Sequence, residues 1–323
     1  MSKIRKLLFS PYQFFSDSRY KILRGLPHHF IVNITKWCGI AWLYNAFVVW
    51  LVYDFPRLWL PLSSNFRLRK IHDEGKPLVS VVIAAYRAEG KLVNSILSIL
   101  QQSYRNVEVI VVVDGCLPSW NEAQVFSKHE RVKLTLSSVQ RGAAYSRNLG
   151  MVKASGQYLT FQDADDYSER YRIEAQLHSL IKANEKVISF CSYVRRNKSN
   201  NIVAINGRTV SLAVISMMVS WEQVKRDIGF FAQLERSEDS DYAGRIIAFY
   251  GNNSVVDLYP VHYLASVQMN SLTFGDGETI YKNNQVTHKP SRKTCERMKE
   301  LKARRRRVST GELSPYIGFP WKQ

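Results

Sequence analysis

LVSVVIAA, residues 78–85, is almost continuously apolar and rich in β-branched side chains, the composition of a strand covered on both faces rather than one that alternates toward solvent. Residues 91–102 follow with Leu92, Ile96, Ile99 and Leu100 at helical spacing, and VEVIVVV (107–113) reads as a second buried strand. Residues 142–154 look helical again, and 158–161 form a further short strand before Asp163, Asp165 and Asp166. Strand alternating with helix predicts an α/β architecture, a Rossmann-like, doubly wound parallel sheet. Such sheets bind ligands at the carboxyl ends of their strands, which directs attention to Ala85-Tyr86-Arg87, to Asp114-Gly115 and to the acidic cluster.

The usual nucleotide motifs are missing. No GxxxxGK loop occurs, no GxGxxG follows the first strand, and no internal repeat is visible. Cys38, Cys116, Cys191 and Cys295 lie far apart with no CxxC pair, so neither a disulfide framework nor a cysteine zinc site is suggested.

The 323 residues carry 45 Lys and Arg against 27 Asp and Glu, and the excess is unevenly placed. Residues 1–76 hold 12 basic and 4 acidic residues, and residues 282–323 hold 12 and 3. The stretch between is nearly neutral, at +1. A nucleic-acid enzyme usually spreads basic residues around its working site, so this distribution argues for attachment through the two ends, with no nucleic-acid partner. Residues 1–76 also hold four of the seven tryptophans. The longest uncharged run there, 37–53, lies at the bottom of the length range for a bilayer span. The expected domain 1–76 is thus a basic, aromatic segment associating with an anionic membrane surface, with a helix packed on the body or a true span as alternatives. Residues 276–323 are expected to be a basic C-terminal helix and tail, with a helix over 292–307 ending in four consecutive arginines.

Asp163, Asp165 and Asp166 follow an apolar strand, with no Lys or Arg until Arg170. Carboxylates this close repel one another, and hard oxygen ligands favour Mg or Mn. The same residues also suit a solvated turn capping a helix that starts near Ser168. Spacing alone leaves both readings open.

Three segments taken together, VSVVIAAYRAEG (79–90), QQSYRNVEVIVVVDG (101–115) and RGAAYSRNLGMVKASGQYLTFQDADD (141–166), resemble the nucleotide-binding half of the inverting family-2 glycosyltransferases, which have a GT-A fold. The resemblance covers about residues 77–275, the second expected domain. It implies that Tyr86, close to Ala84 at the strand end, stacks on the nucleotide base and that Asp114 hydrogen-bonds it. It further implies that Asp163 and Asp165 form the DxD pair, with Asp165 the direct ligand of a Mn or Mg ion held by the donor diphosphate and Asp166 supporting that shell. Arg141 or Arg147 is assigned to the phosphates, Arg147 alternatively to the structure of its helix. Residues 237–242, SEDSDY, are similar to the family's second acidic motif, where an Asp or Glu is the catalytic base. Asp239 is preferred here over Glu238 and Asp241, and an acidic first helical turn is the competing reading.

The chain departs from the family in having Ala84 where Pro is common, Arg87 where Asn is common, and Val113 in place of the first Asp of an Asp-Asp-Gly. The last change removes one contact to base or ribose. Nevertheless a UDP-sugar is the donor the resemblance implies, with a glycan or lipid-linked acceptor in bacterial surface polysaccharide synthesis. The expected location is peripheral, on the cytoplasmic face of the inner membrane. The processive synthases' QxxRW motif is absent. Competing classes are a nucleotidyltransferase, whose Gly-rich basic loop is not found at 84–91, and a catalytically silent scaffold, against which both acidic motifs argue.

Overall fold

The computed structural model describes residues 75–319 except 89, 116, 184, 185, 270, 272 and 273. The expectations for residues 1–74, including membrane association, lie outside the described residues. One compact unit, Arg67–Asp257 with Val261–Gln323, holds nearly everything described.

β1 (Val79–Ala85) is buried along almost its whole length because it has parallel partners on both edges, β2 (Val107–Asp114) and β4 (Tyr158–Asp163). β3 (Val132–Ser137) extends the parallel half beyond β2. Successive side chains of these strands serve opposite faces. Val79, Val81 and Ile83 pack with Val109 and Val111 against α1 (Leu92–Leu100) and α4 (Arg172–Lys182), whereas Val82, Ile110 and Val112 pack against α3 (Ala143–Lys153), α5 (Trp221–Asp227) and α6 (Glu238–Tyr250). A seven-residue helix, α2 (Leu117–Ala123), completes the first layer through Ala123. Gly150 lets α3 approach closely, since a Cβ there would fall 2.4 Å from a methyl carbon of Val82.

Beyond β4 the sheet turns antiparallel, which the sequence reading did not anticipate. β8 (Val210–Ser220) pairs with β4 and with β6 (Ile188–Arg196), and β6 pairs with β7 (Ile202–Ile205). The order among the described residues is β10-β11-β7-β6-β8-β4-β1-β2-β3, where β10 (Glu278–Lys282) and β11 (Gln285–Lys289) form a hairpin. Its two connecting residues, Asn283 and Asn284, have φ of 48° and 55°, the left-handed pair a tight hairpin turn demands.

One local expectation needs correction. The helix after the acidic cluster begins at Arg172, not near Ser168. Tyr167 and Ser168 instead form a short strand, β5, paired with Leu264 and Tyr263 of β9 (Val255–Ser266). The acidic residues therefore do not cap a helix. Residues 276–319, a basic helix and tail in the sequence, lie in this same unit. The hairpin joins the sheet through β7, α7 (Arg292–Ser309) lies on α6, and Ile317 bridges to Gly229. Among the described residues no helix is long and apolar enough to cross a membrane.

Candidate active site

Strand register assembles the site. Ala84 lies between Val112 of β2 and Asp163 of β4, so Tyr86, Asp114 and Asp163 end three adjacent parallel strands. Tyr86 is 40% exposed, and the Arg87 guanidinium sits 5.2 Å from its ring centroid. Arg87 has a φ of 49°, in the left-handed region that Asn tolerates better than Arg.

Asp114 is buried, and both its oxygens are engaged. Oδ1 accepts from the Arg141 backbone N–H and Oδ2 from that of Gly142, each at 2.8 Å. It thereby pins the loop that opens α3. The Arg141 guanidinium lies 4.8 Å from the Tyr145 ring.

The acidic turn divides into three environments. Asp163 Oδ1 accepts from Arg147 Nη2 at 2.9 Å, and its backbone N–H donates to the Tyr263 hydroxyl. Asp165 accepts from Gln268 and has the Lys91 ammonium 3.9 Å from Oδ2, while burial and the facing Asp163 push its carboxyl above the ordinary range. Asp166 is 8% exposed and accepts from the Ser266 N–H at 2.8 Å. Burial, then Asp165 and Asp163, push it well up. The negative charge of this turn is thus crowded and incompletely compensated. Arg195 stands nearby. Burial works against its charge, but Tyr193, Asp166 and Asp163 more than offset this and keep it cationic.

Beneath the turn, Arg172 is fully buried and donates to Thr160 Oγ1, Phe161 O, Gln162 Oε1, Ser168 Oγ, Gln176 Oε1 and Ser216 O at 2.6–3.2 Å. Burial lowers its pKa. These six acceptors are all neutral, so the cation is held by dipoles of the strand that ends at Asp163, of its own helix and of the residues at 168 and 216.

The three acids of the second motif are separated by what they touch. Asp241 is fully buried and pairs with Arg245 Nε at 2.8 Å and Arg304 Nη1 at 3.4 Å. Glu238 is buried against Arg147 Nη1. Asp239 is half-buried, has no ion pair among the described residues, and accepts from the Ser240 N–H at 2.6 Å. Burial first, then Glu238 and Asp163, raise its pKa to about 6, with Arg147 and the Ser240 N–H acting in the other direction. A carboxylate poised near neutrality and free of an ion pair suits proton transfer. Arg147 links the motifs across the sheet end. Its Nε is buried without an acceptor among the described residues, and its charge is reinforced by Glu238, Asp163 and Asp239 against the cost of burial.

Sequence reasoning missed Lys91, Arg172, Arg195, Tyr263 and Gln268. Only Lys91, opening the helix after the first strand end, carried a local signal. The others reach the turn from residues with no motif of their own.

This end-of-strand arrangement, with an acidic turn after β4 and an acidic helix start at α6, is that of a nucleotide-sugar transferase domain. A family model described as glycosyl transferase family 2 matches residues 80–264, and the chain belongs to that family. An uncharacterized glycosyltransferase of Haemophilus influenzae is 38% identical over 119 residues, 36% of this chain and 47% of that protein. A UDP-Glc:alpha-D-GlcNAc-diphosphoundecaprenol beta-1,3-glucosyltransferase, WfgD of Escherichia coli, is 33% identical over 107 residues, 33% of this chain and 42% of its own length. The chain therefore spans less than half the length of these relatives. Among solved structures, S. aureus TarS in complex with UDP aligns over 60% of this chain and 61% of that one, with 18% identity and a TM-score of 0.47.

Proposed function

We propose that this protein transfers a sugar from a UDP-sugar to a glycan or lipid-linked acceptor, with inversion at the anomeric carbon, in the synthesis of a bacterial surface polysaccharide. The observation that carries the proposal is the convergence of Tyr86, Asp114 and Asp163 at adjacent strand ends, with Arg147 joining Asp163 to the helix that begins with Glu238 and Asp239. The activity in the name of the E. coli relative, transfer from UDP-Glc to a diphosphoundecaprenol-linked sugar, supports the donor and acceptor classes.

In this reading Tyr86 supplies a face for the base. Asp114 orders the loop around it through Arg141 and Gly142. Among the described residues no three His, Cys, Asp or Glu side chains form a metal cage of their own. Asp165 and Asp163, with their surplus negative charge, fit a Mg or Mn ion completed by the donor's phosphates, the usual way Mg is held in phosphate enzymes. When bound, that cation supplies charge neutralisation at the leaving diphosphate. Asp239 accepts the proton of the attacking acceptor hydroxyl, so displacement proceeds directly and needs no covalent enzyme intermediate. The protein works at the anionic cytoplasmic face of the inner membrane, where a lipid-linked acceptor resides.

Incubating purified protein with Mn and a panel of sugar nucleotides, and measuring released nucleoside diphosphate, tests the proposal. Turnover of one UDP-sugar is expected. Release from no donor would leave a silent scaffold of the same fold.

A further inference from the structure

The arginine run that looks uniform in sequence is divided by α7 between two faces. Nine basic residues oppose two acidic ones along this helix. Leu301 and Val308 are buried on its inner face, flanked by Arg304 at Asp241 and by Arg305, which donates to the Ser240 carbonyl. Arg305 also packs where a side chain on Gly244 would stand, 1.9 Å from a Cβ. Arg297 reaches Glu235 on the same side, at 4.0 Å. At 100° per residue the opposite face carries Arg292, Cys295, Lys299, Lys302 and Arg306 in one stripe, with Arg307 beside it, and all six are exposed. Arg292 pairs with Glu296 at 2.8 Å, whereas Lys299, Lys302, Arg306 and Arg307 have no ion pair among the described residues.

We infer that this outer face of α7 is the docking face for a bilayer surface rich in anionic phospholipid. The inference rests on the lipid-linked acceptor proposed above and goes beyond it by assigning the surface. A straight row of four basic residues over about four helical turns matches a plane of anionic headgroups by charge. One flank of the stripe exposes Met298 at 41% and the other carries Glu296, Glu300 and Arg307, while the hairpin leading into α7 exposes Ile280 at 66% and Tyr281 at 42%. The stripe itself has no aromatic ring to stack on nucleic-acid bases. The inner face meanwhile grips the first turns of α6, the helix that carries Asp239 in its first turn.

Cys295, exposed within the stripe, is a built-in reporter, and Cys191 is buried. The test measures maleimide modification of Cys295 by peptide mapping of the full chain, free and with vesicles. We expect at least fivefold slower modification with phosphatidylglycerol-containing vesicles at about 0.1 M salt, the solution rate with phosphatidylcholine vesicles, and recovery of the rate near 0.5 M salt. The triple variant Lys299→Glu, Lys302→Glu, Arg306→Glu should lose the protection and keep donor hydrolysis. Protein that floats with anionic vesicles while Cys295 reacts at the solution rate overturns this assignment and leaves lipid attachment through another segment standing. Equal or stronger protection by duplex DNA overturns it in favour of a nucleic-acid partner. Donor hydrolysis, measured separately, reports on the transferase reading alone.

Discussion

One guanidinium, that of Arg147, donates from Nη2 to Asp163 at 2.9 Å and from Nη1 to Glu238, tying the end of β4 to the first turn of α6. Arg147→Met leaves Glu238 buried without its cation, and unfolding free energy should fall by about 3–5 kcal/mol. Adding Glu238→Gln should restore much of the urea midpoint without restoring turnover, because the tie between the two acidic motifs stays cut. Recovery of turnover along with stability would show that Arg147 has only a structural part.

Asp239→Asn should retain donor affinity and lose on the order of a hundredfold or more in turnover, since an amide keeps the shape but accepts no proton. With the pKa of Asp239 at about 6, parent turnover should rise with pH through that value, and the variant should lack this limb. Stability runs the other way. Because the folded pKa lies above the unfolded value near 4, ionised Asp239 costs the fold stability above about pH 6, and the cost disappears below about pH 4. The variant should therefore melt higher than the parent at pH 8 and near it at pH 4. Thermal melts at the two pH values check the sign.

Asp165→Ala should abolish turnover and metal-dependent nucleotide binding while the protein stays folded, since its removal relieves crowding with Asp163 and Asp166. Calorimetry of UDP binding with and without Mn provides the measurement. Parent activity undiminished by EDTA would remove the metal from the proposal.

Arg172→Lys should destabilise by about 2–4 kcal/mol, because a point ammonium with three donors cannot serve six acceptors spread around a planar fork. Nucleotide binding should weaken with it, as the network supports the strand ending in Asp163. An unchanged urea midpoint would show that the fork is dispensable.

Arg87→Asn should stabilise the turn after β1 by roughly 0.5–1 kcal/mol, since Asn adopts a positive φ at less cost. It should also uncover the face of Tyr86 now beneath the guanidinium, changing the KM for donor more than kcat. Steady-state kinetics with the accepted donor decide this.

The parallel half of the sheet was legible because β1 and β2 are continuous apolar runs that only double burial explains. Residues 142–154 were read as a helix, and α3 spans Ala143–Lys153. β8 was not legible. Its VSLAVISMMVS mixes buried and half-exposed positions without period, and its place beside β4 is set by long-range pairing. The acidic turn announced itself by composition, but its supports did not, since Gln268 reaches Asp165 from 103 residues away and Tyr263 meets Asp163 from 100. Arg172, inside a polar helical pattern, reads as a surface residue. Only the neutral acceptors on β4, β5, β8 and α4 make a fully buried place for it. The four arginines at 304–307 read as one patch, although helical geometry turns two of them inward.

Arg245, at the middle of the helix that carries Asp239 in its first turn, completes its hydrogen bonds on the carbonyl of Pro315, seventy positions further along the chain. On a ribosome adding about 5–20 residues per second, that partner emerges several seconds after Arg245 itself. During the interval the guanidinium has Asp241 and the carbonyls of Ile228 and Phe230 but not its final acceptor, and the Phe230 backbone N–H still lacks Ile317. The helix bearing the proposed base is thus left unfinished until the last residues of this unit are made, well after the strands of the nucleotide half.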